Sequence, residues 1–194
     1  ITSLPTPYGI GTMGKDAYAF VDFLVRAGQR YWQILPLTPT GYGDSPYQSL
    51  GACAGNHYLI DLDRLADEGL LKKEEIQNIP WGSNPARVDF GAMYAHRMNV
   101  LRQAFQRFTP DGAYETFVEQ NRSWLEDYAL FTALKDTLGG KPWLEWPEAL
   151  RLRKADALTE KRRELSDEIR LQYFVQYEFD RQWKALRSYA NAKG

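Results

Sequence analysis

The residues best suited to bind a ligand lie together in one short segment, residues 36–49, with the sequence PLTPTGYGDSPYQS. Its chemically active side chains are Tyr42, Asp44, Ser45 and Tyr47. Tyrosine rings offer apolar faces, whereas carboxylates and hydroxyls exchange hydrogen bonds, so these are the groups needed to hold a polyhydroxylated ligand. The prolines and glycines between them give the segment fixed corners. We therefore expect residues 36–49 to form a ligand-facing loop.

Two interpretations of these side chains stay open on local grounds. Tyr42 and Tyr47 have no periodic core to join, which favours contact with a ligand. Asp44 and Ser45 also suit a tight turn, because their side chains bond the nearby backbone, and locally the turn interpretation is the stronger one. The residue types alone leave Asp44 and Ser45 between a structural role and a binding role.

Other motifs give weaker signals. His57 and His96 are far apart in the sequence, so neither a metal site nor a histidine-centred triad is predicted. The glycines of residues 9–14 precede a helical pattern, as in a dinucleotide-binding loop, but residues 5–8 before them do not read as a strand. We therefore expect no phosphate loop and no metal site.

The loop follows a run of residues with strand character. Residues 31–37 are short, apolar and partly aromatic, which is typical of a buried parallel strand. Before them, residues 15–27 carry apolar side chains at helical spacing, and Gly28 suits the end of that helix. Residues 58–62 are a second strand candidate, although so short a run does not separate strand from helix. Strand, helix and strand are the beginning of an α/β unit.

After Asp63 the pattern becomes helical. Asp89 suits the start of a helix that ends before Pro110. A second helix covers residues 124–134 before Gly139, and the longest begins at about Leu165. The predicted inner face of the Asp89 helix consists of Phe90, Tyr94, Arg97 or Met98, Leu101, Phe105 and Phe108.

Composition and charge exclude several classes of function. The 194 residues are 44% hydrophobic, and 24 basic against 25 acidic residues give a net charge of -1. Such a balance offers no attraction to nucleic acid or to an anionic membrane, so a neutral partner is favoured. The sequence shows no signal peptide and no run approaching the roughly 18 apolar residues of a membrane span. With Cys53 as the single cysteine, a reducing cytoplasm is the default location.

Both ends of the sequence are interpreted as cuts inside a longer fold. Residues 1–5 resemble the tail of a strand that enters a loop, and the last helical pattern runs almost to Gly194. We therefore expect the chain to be part of something longer.

Taken in order, several motifs resemble one enzyme family. They are Ser3-Leu4-Pro5, residues 8–12, residues 29–37, residues 39–49, Ala54-Gly55-Asn56 and Ile60-Asp61-Leu62, with weaker matches at Asn84-Pro85, Val88-Asp89, Gln182-Trp183 and Tyr189-Ala190. In these residues the chain is similar to the 4-α-glucanotransferases, the amylomaltases or disproportionating enzymes of glycoside hydrolase family 77. The resemblance is most specific over the first third of the chain.

The resemblance implies an α/β fold, namely an incomplete (β/α)8 TIM barrel with a mostly α-helical inserted subdomain. Residues 1–62 then begin the catalytic barrel and carry the substrate-facing loop. Residues 63–164 form the inserted helical subdomain. Residues 165–194 form a long helix that leads back to the barrel, and the chain ends before the third strand.

The same resemblance implies roles for the loop residues. Tyr47 matches a tyrosine that contacts the sugar next to the cleaved bond, and Asp44 and Ser45 lie in the same wall. Tyr42 matches a position in a second glucan-binding groove. All four are therefore expected to bind substrate.

Enzymes of this family break an α-1,4 bond with retention through a glucosyl-enzyme ester. The glucosyl group then moves to another sugar's hydroxyl and the carboxylate is released, without a cofactor or metal. A retaining mechanism needs two carboxylates about 5 to 5.5 Å apart. In the family the nucleophile, the acid/base and the stabilising aspartate lie on later strands, and we assign neither Asp44 nor Asp61 to those roles. No catalytic residue is predicted here, and the chain alone is expected to be inactive.

We therefore predict the N-terminal part of a cytoplasmic transferase of starch and maltodextrin metabolism, which moves α-1,4-glucan segments between maltooligosaccharides. The expected partners are these glucans and the rest of the same enzyme, not nucleic acid or a membrane. Two alternatives stay open: a non-catalytic α-glucan-binding fragment and a helical interaction scaffold.

Overall fold

The structure is a computed structural model that describes residues 1–41, 43–84 and 86–194, and helices dominate these residues. The α-helices are α1 (Lys15–Arg26), α2 (Leu62–Asp67), α3 (Lys73–Gln77), α4 (Phe90–Arg107), α5 (Gly112–Thr137), α6 (Glu148–Arg151), α7 (Ala155–Glu164) and α8 (Ser166–Ala192). Single 3₁₀ turns cover His57–Leu59 and Trp143–Glu145. Between the described residues, strand-like pairing is limited to one antiparallel bridge that joins Thr40 and Ser49.

The chain divides into two compact units. The larger unit comprises Ile1–Thr109 and Glu178–Gly194, and the smaller unit comprises Pro110–Tyr177. Helix α8 therefore begins in the smaller unit and ends in the larger one. The predicted division after residues 62 and 164 refers to the parts of a barrel enzyme, so it stays a prediction.

Helix α1 begins and ends as its pattern predicts. Ala17 and Val21 form its buried face. Gly28 follows with a φ of 71°, and its N–H donates to the carbonyl of Val25 at 3.0 Å. Because that left-handed conformation is strained for residues with a Cβ, glycine is the residue that ends this helix readily.

The predicted strand at residues 58–62 is wrong. The structure has a 3₁₀ turn there, followed directly by α2. The reason is local capping. The side chain of Asn56 accepts the N–H of Tyr58 at 3.0 Å, and the side chain of Asp61 accepts the N–H of Arg64 at 2.9 Å. Each acceptor satisfies a backbone donor at the start of a helical turn. The apolar residues between Asn56 and Asp61 suggested a strand, although these two cap residues favour turns.

The predicted buried strand at residues 31–37 is not formed either, because this segment has no strand partner among the described residues. Over residues 31–35 the exposure nevertheless alternates along the chain. Tyr31 and Leu35 are 91% and 53% exposed. Trp32 is partly buried and packs edge-on against Phe20 of α1, with ring centroids 5.1 Å apart. Alternation with period two is typical of a strand that has one face covered.

Asp61 lies at a junction inside the larger unit and is 6% exposed. Besides capping α2 through Oδ1, its carboxylate accepts the hydroxyl of Thr12 at 2.6 Å through Oδ2. Its backbone N–H donates to Oε1 of Gln182 in α8 at 2.7 Å. Both carboxylate oxygens accept structural hydrogen bonds. Asp61 therefore links the loop at Thr12, the first turn of α2 and helix α8.

Helix α4 begins after Asp89, as predicted, and the Asp89 side chain accepts the N–H of Ala92 at 3.0 Å. Its buried face differs from the predicted one, since Tyr94 is 72% exposed. Arg97 lies on the buried face, where its guanidinium donates a hydrogen bond to the carbonyl of Tyr58 at 2.9 Å. The buried residues of α4 are Met93, Arg97, Val100, Leu101 and Ala104.

The smaller unit has its own apolar core between α5, α6, α7 and the start of α8. Trp146 joins that core by stacking on Phe131 at 5.4 Å, and its indole N–H donates to the carbonyl of Lys141 at 3.1 Å. Trp143 stays half-exposed. The buried members of this core are Leu130, Ala133, Leu134, Trp146, Leu150, Leu158 and Leu165.

The Asp61 junction leaves no room for a side chain at Gly14. A methyl group there would lie 1.9 Å from Oδ2 of Asp61. Because hydrogen bonds fix that carboxylate, we expect Gly14→Ala to lower the free energy of unfolding by about 2 to 3 kcal/mol in urea denaturation. The control Gly112→Ala, whose methyl group meets no described atom within 4 Å, should change it by less than about 1 kcal/mol. Equal losses in the two variants would contradict this account.

His57 should make the fold sensitive to acid. Burial, together with the positive charge of Arg97, lowers the pKa of His57 to about 3. The unfolded chain has the ordinary histidine pKa of about 6.5, so it binds the extra proton first as the pH falls. The stabilisation is therefore complete above about pH 6.5 and declines towards pH 3, by up to about 1.4 kcal/mol per pH unit.

We expect His57→Gln to flatten the pH dependence of the free energy of unfolding between about pH 6 and pH 4. Denaturant unfolding at stepped pH measures this slope in both proteins. Identical slopes would show that His57 protonates as readily in the folded chain as in the unfolded one.

Candidate functional site

The predicted ligand loop is closed at its base. Thr40 and Ser49 form the antiparallel bridge, so the chain returns beside its starting point after nine residues. The Ser49 hydroxyl donates to the carbonyl of Gly51 at 3.0 Å and accepts the N–H of Gly51 at 3.1 Å. Residues 40–49 are therefore one closed loop, called the ligand loop below.

The ligand loop carries three of the predicted site residues, Asp44, Ser45 and Tyr47. The fourth, Tyr42, lies outside the described residues. Tyr47 is 75% exposed, whereas Asp44 and Ser45 are partly buried. The structure thus brings a solvent-facing aromatic ring and two polar side chains into one short turn.

Hydrogen bonds inside the loop fit the turn interpretation. The carbonyl of Ser45 accepts the N–H of Gln48 at 3.1 Å, and the Ser45 hydroxyl oxygen accepts the N–H of Tyr47 at 3.4 Å. A turn role does not exclude a binding role, because these contacts also fix the direction from which the Tyr47 ring leaves the backbone.

Asp44 has an unusual backbone conformation. Its φ of 60° lies in the left-handed region, which costs a residue with a Cβ on the order of 1 kcal/mol. Its N–H donates to the carbonyl of Gly41 at 3.1 Å, and burial raises the pKa of its carboxyl group. Strained, partly buried residues of this kind are concentrated at ligand sites.

Tyr58 follows the ligand loop in the chain and is only 5% exposed. Burial, with the negative charge of Asp44 and a smaller effect of Tyr94, raises the pKa of Tyr58 to about 12. The Tyr58 phenol therefore lies in the electrostatic field of Asp44. The sequence pattern placed Tyr58 in a strand and gave no sign of this electrostatic effect, although Asn56 two residues earlier is a cap residue that signals a turn.

The ligand loop lies inside a longer loop region, residues 37–56, whose two ends are joined by a hydrogen bond. The N–H of Asn56 donates to the carbonyl of Leu37 at 2.7 Å, and Asn56 is 7% exposed. Gly55 next to it has no room for a side chain, since a methyl group would lie 2.0 Å from the ring of Phe179 in α8. The base of the loop is thus fixed against the buried part of the larger unit.

These groups suit binding rather than bond cleavage. Asp44 is the only acidic residue in residues 36–56, whereas a retaining glycosidic reaction needs two carboxylates. Among the described residues, histidine, cysteine, aspartate and glutamate form no cluster of three or more that could hold a metal ion. None of the described helices is both long enough and apolar enough to cross a membrane. The loop can stack on a ring and exchange hydrogen bonds with hydroxyls.

Comparison with known proteins gives one consistent result. The 4-alpha-glucanotransferase family model matches residues 1–194. The 4-alpha-glucanotransferase of Clostridium butyricum is 46% identical over 195 residues, which cover 100% of this chain and 40% of that protein. The 4-alpha-glucanotransferase of Thermus thermophilus is 49% identical over 199 residues, which cover 100% of this chain and 39% of that protein.

A solved structure agrees with these sequences. The amylomaltase from Streptococcus agalactiae in complex with acarbose superposes with a TM-score of 0.96 at 45% identity, covering 100% of this chain and 40% of that one. The chain therefore spans about two fifths of the length of the relatives it matches. Since the family model matches every residue, the chain belongs to the 4-α-glucanotransferase family.

Proposed function

We propose that this chain is part of a retaining 4-α-glucanotransferase and forms one wall of its sugar-binding cleft. The observation that carries the proposal is the closed ligand loop, which presents the Tyr47 ring beside Asp44 and Ser45 in a chain of this family. The apolar face of a glucose ring stacks on Tyr47. Sugar hydroxyls then hydrogen-bond to Asp44 and Ser45, and the proposal extends this wall to Tyr42.

The proposed reaction moves α-1,4-glucan segments between maltooligosaccharides. A second sugar's hydroxyl replaces water as the acceptor, so the cleft must hold sugars on both sides of the reacting bond. The ligand loop serves that purpose by binding. The catalytic carboxylates come from the rest of the enzyme in this proposal, and the chain alone is inactive.

The same proposal assigns the chain to an incomplete (β/α)8 barrel with a helical insertion. In support, residues 31–35 alternate in exposure as a strand does, and Tyr31 and Leu35 are exposed. The rest of the enzyme supplies the neighbouring strand and covers those side chains. Cys53 is free and exposed, which suits the proposed cytoplasmic location.

The structural neighbour supports the choice of ligand. The Streptococcus agalactiae amylomaltase is in complex with acarbose, and its similarity extends over the whole of this chain. A non-catalytic α-glucan-binding role is the second candidate. It is favoured by the single carboxylate of the loop region and by the separate buried core of each unit.

We expect Tyr47 to contribute to glucan transfer. A chimera in which this chain replaces the matching two fifths of the Streptococcus agalactiae amylomaltase should release glucose from maltotriose. In that chimera, Tyr47→Ala should lower kcat/KM about tenfold, which corresponds to about 1.4 kcal/mol of lost stacking.

The matched control Tyr47→Phe keeps the ring, so it should retain kcat/KM within about threefold. A Tyr47→Ala chimera as active as the parent would contradict the binding role. The 194-residue chain incubated alone with maltotriose should give no products, and scrambled oligosaccharides would show that it carries its own catalytic groups.

Residues 31–37 provide a test of the barrel proposal. In the chain alone, their amides should exchange with deuterium rapidly, since they have no strand partner among the described residues. In the chimera the same amides should exchange at least about tenfold more slowly, because a neighbouring strand then accepts their hydrogen bonds. Amides in the middle of α8 are the control and should change little. Equal exchange of residues 31–37 in both proteins would refute the pairing.

A further inference from the structure

Arg97 of α4 is a fully buried cation, with 0% of its surface exposed. Its Nη2 donates to the carbonyl of Tyr58 at 2.9 Å and also to the carbonyl of Ile60. Its Nε and Nη1 have no hydrogen-bond partner among the described residues. Burying a charge with two unsatisfied donor atoms is unfavourable, so removing the hydrogen bonds that Arg97 does make would raise that cost further.

The partners of Arg97 are backbone groups and a ring. In the part of the chain that the structure describes, no carboxylate forms an ion pair with it. The guanidinium lies 5.7 Å from the ring centroid of Trp81, and the negative charge of Asp61 acts on it at longer range. Its specific contacts are therefore the two carbonyls of one turn, and its geometry is set by that turn.

That turn is bonded to both ends of the loop region. The N–H of Tyr58 donates to the side chain of Asn56 at 3.0 Å, and the N–H of Asn56 donates to the carbonyl of Leu37 at 2.7 Å. Leu37 precedes the ligand loop and Asn56 follows it. A continuous series of hydrogen bonds thus leads from Arg97 through the turn to both ends of the loop region.

The side chain of Tyr58 adds a second connection. It is buried, and its phenol interacts electrostatically with Asp44 inside the ligand loop. The carbonyl that Arg97 holds belongs to the same residue. Holding the Tyr58 backbone therefore also restrains the Tyr58 ring, whose phenol responds to the charge of Asp44.

We propose that Arg97 is a positioning residue for the ligand loop: by holding the carbonyls of Tyr58 and Ile60 it fixes the turn that contains them and, through Asn56, the base of the loop. Through them it sets the place of Asp44 and Tyr47. This inference rests on the proposed function only where it takes the ligand of the loop to be a glucan.

Two substitutions separate positioning from simple packing. Arg97→Met keeps an unbranched apolar side chain, but it is two atoms shorter than arginine and donates no hydrogen bond, so both carbonyls lose their partner. Arg97→Lys keeps the positive charge and a hydrogen-bond donor on a side chain one atom shorter. It should therefore preserve part of the restraint on the loop. Deuterium exchange of the 194-residue chain at pH 7 reports the loop directly, without any sugar.

We expect Arg97→Met to speed the exchange of amides in residues 38–49 and 56–61 by about tenfold or more, while the amides of α1 keep their rates. Arg97→Lys should speed the same amides by about threefold. Unchanged loop amides, or an equal increase in α1 and in the loop, would overturn the positioning role. If Arg97→Met does not fold, the Lys variant decides: a loop-confined increase supports the proposal and no increase refutes it.

The transfer assay separates this inference from the proposed function. In the chimera, Arg97→Met should raise KM for maltotriose about tenfold and change kcat by less than threefold, since the loop binds rather than reacts. Loop amides that loosen in a chimera without transfer activity would refute the proposed function and leave the positioning role supported. Transfer with unchanged KM and unchanged loop exchange would refute the positioning role alone.

Discussion

The buried carboxylate of Asp61 is the constraint on which the larger unit depends. It binds the hydroxyl of Thr12 and the first turn of α2, while the Asp61 backbone exchanges hydrogen bonds with Gln182 of α8. Gly14 provides the space that the carboxylate occupies. A buried carboxylate is tolerated only when its oxygens are bonded, so each partner is needed by the others. Segments distant in the sequence are thereby held at one point.

The ligand loop is held at its base as well as by its own turn contacts. Its exposed tip has few restraints besides local turns, but its base is bonded at Leu37 and Asn56, and the adjoining turn is held by Arg97. In the proposed binding mode, a ring such as Tyr47 that is presented from a fixed base would lose less conformational freedom on binding a sugar. The buried polar network therefore restrains the base of the surface loop that carries Tyr47.

The sequence predicted the parts of this arrangement that depend on local signals. The helices at α1, α4 and α8 follow from apolar periodicity and from cap residues such as Asp89. The strand prediction for residues 58–62 was wrong because an apolar run looks alike in a strand and in a turn. The cap residues around the run determine which of the two forms. Arg97 was placed near an inner face, but its two carbonyl partners lie 37 and 39 residues away, so tertiary structure alone shows its role. The effect of Asp44 on Tyr58 was missed for the same reason, since it depends on how the whole loop folds.

The central claim is that the ligand loop contacts a glucan through Tyr47. A crystal structure of the chimera with a bound maltooligosaccharide tests this most directly. The account predicts a sugar ring within about 4 Å of the Tyr47 ring, with its hydroxyls in hydrogen-bonding reach of Asp44 or Ser45. An ordered sugar in the cleft that leaves Tyr47, Asp44 and Ser45 without contact would contradict it.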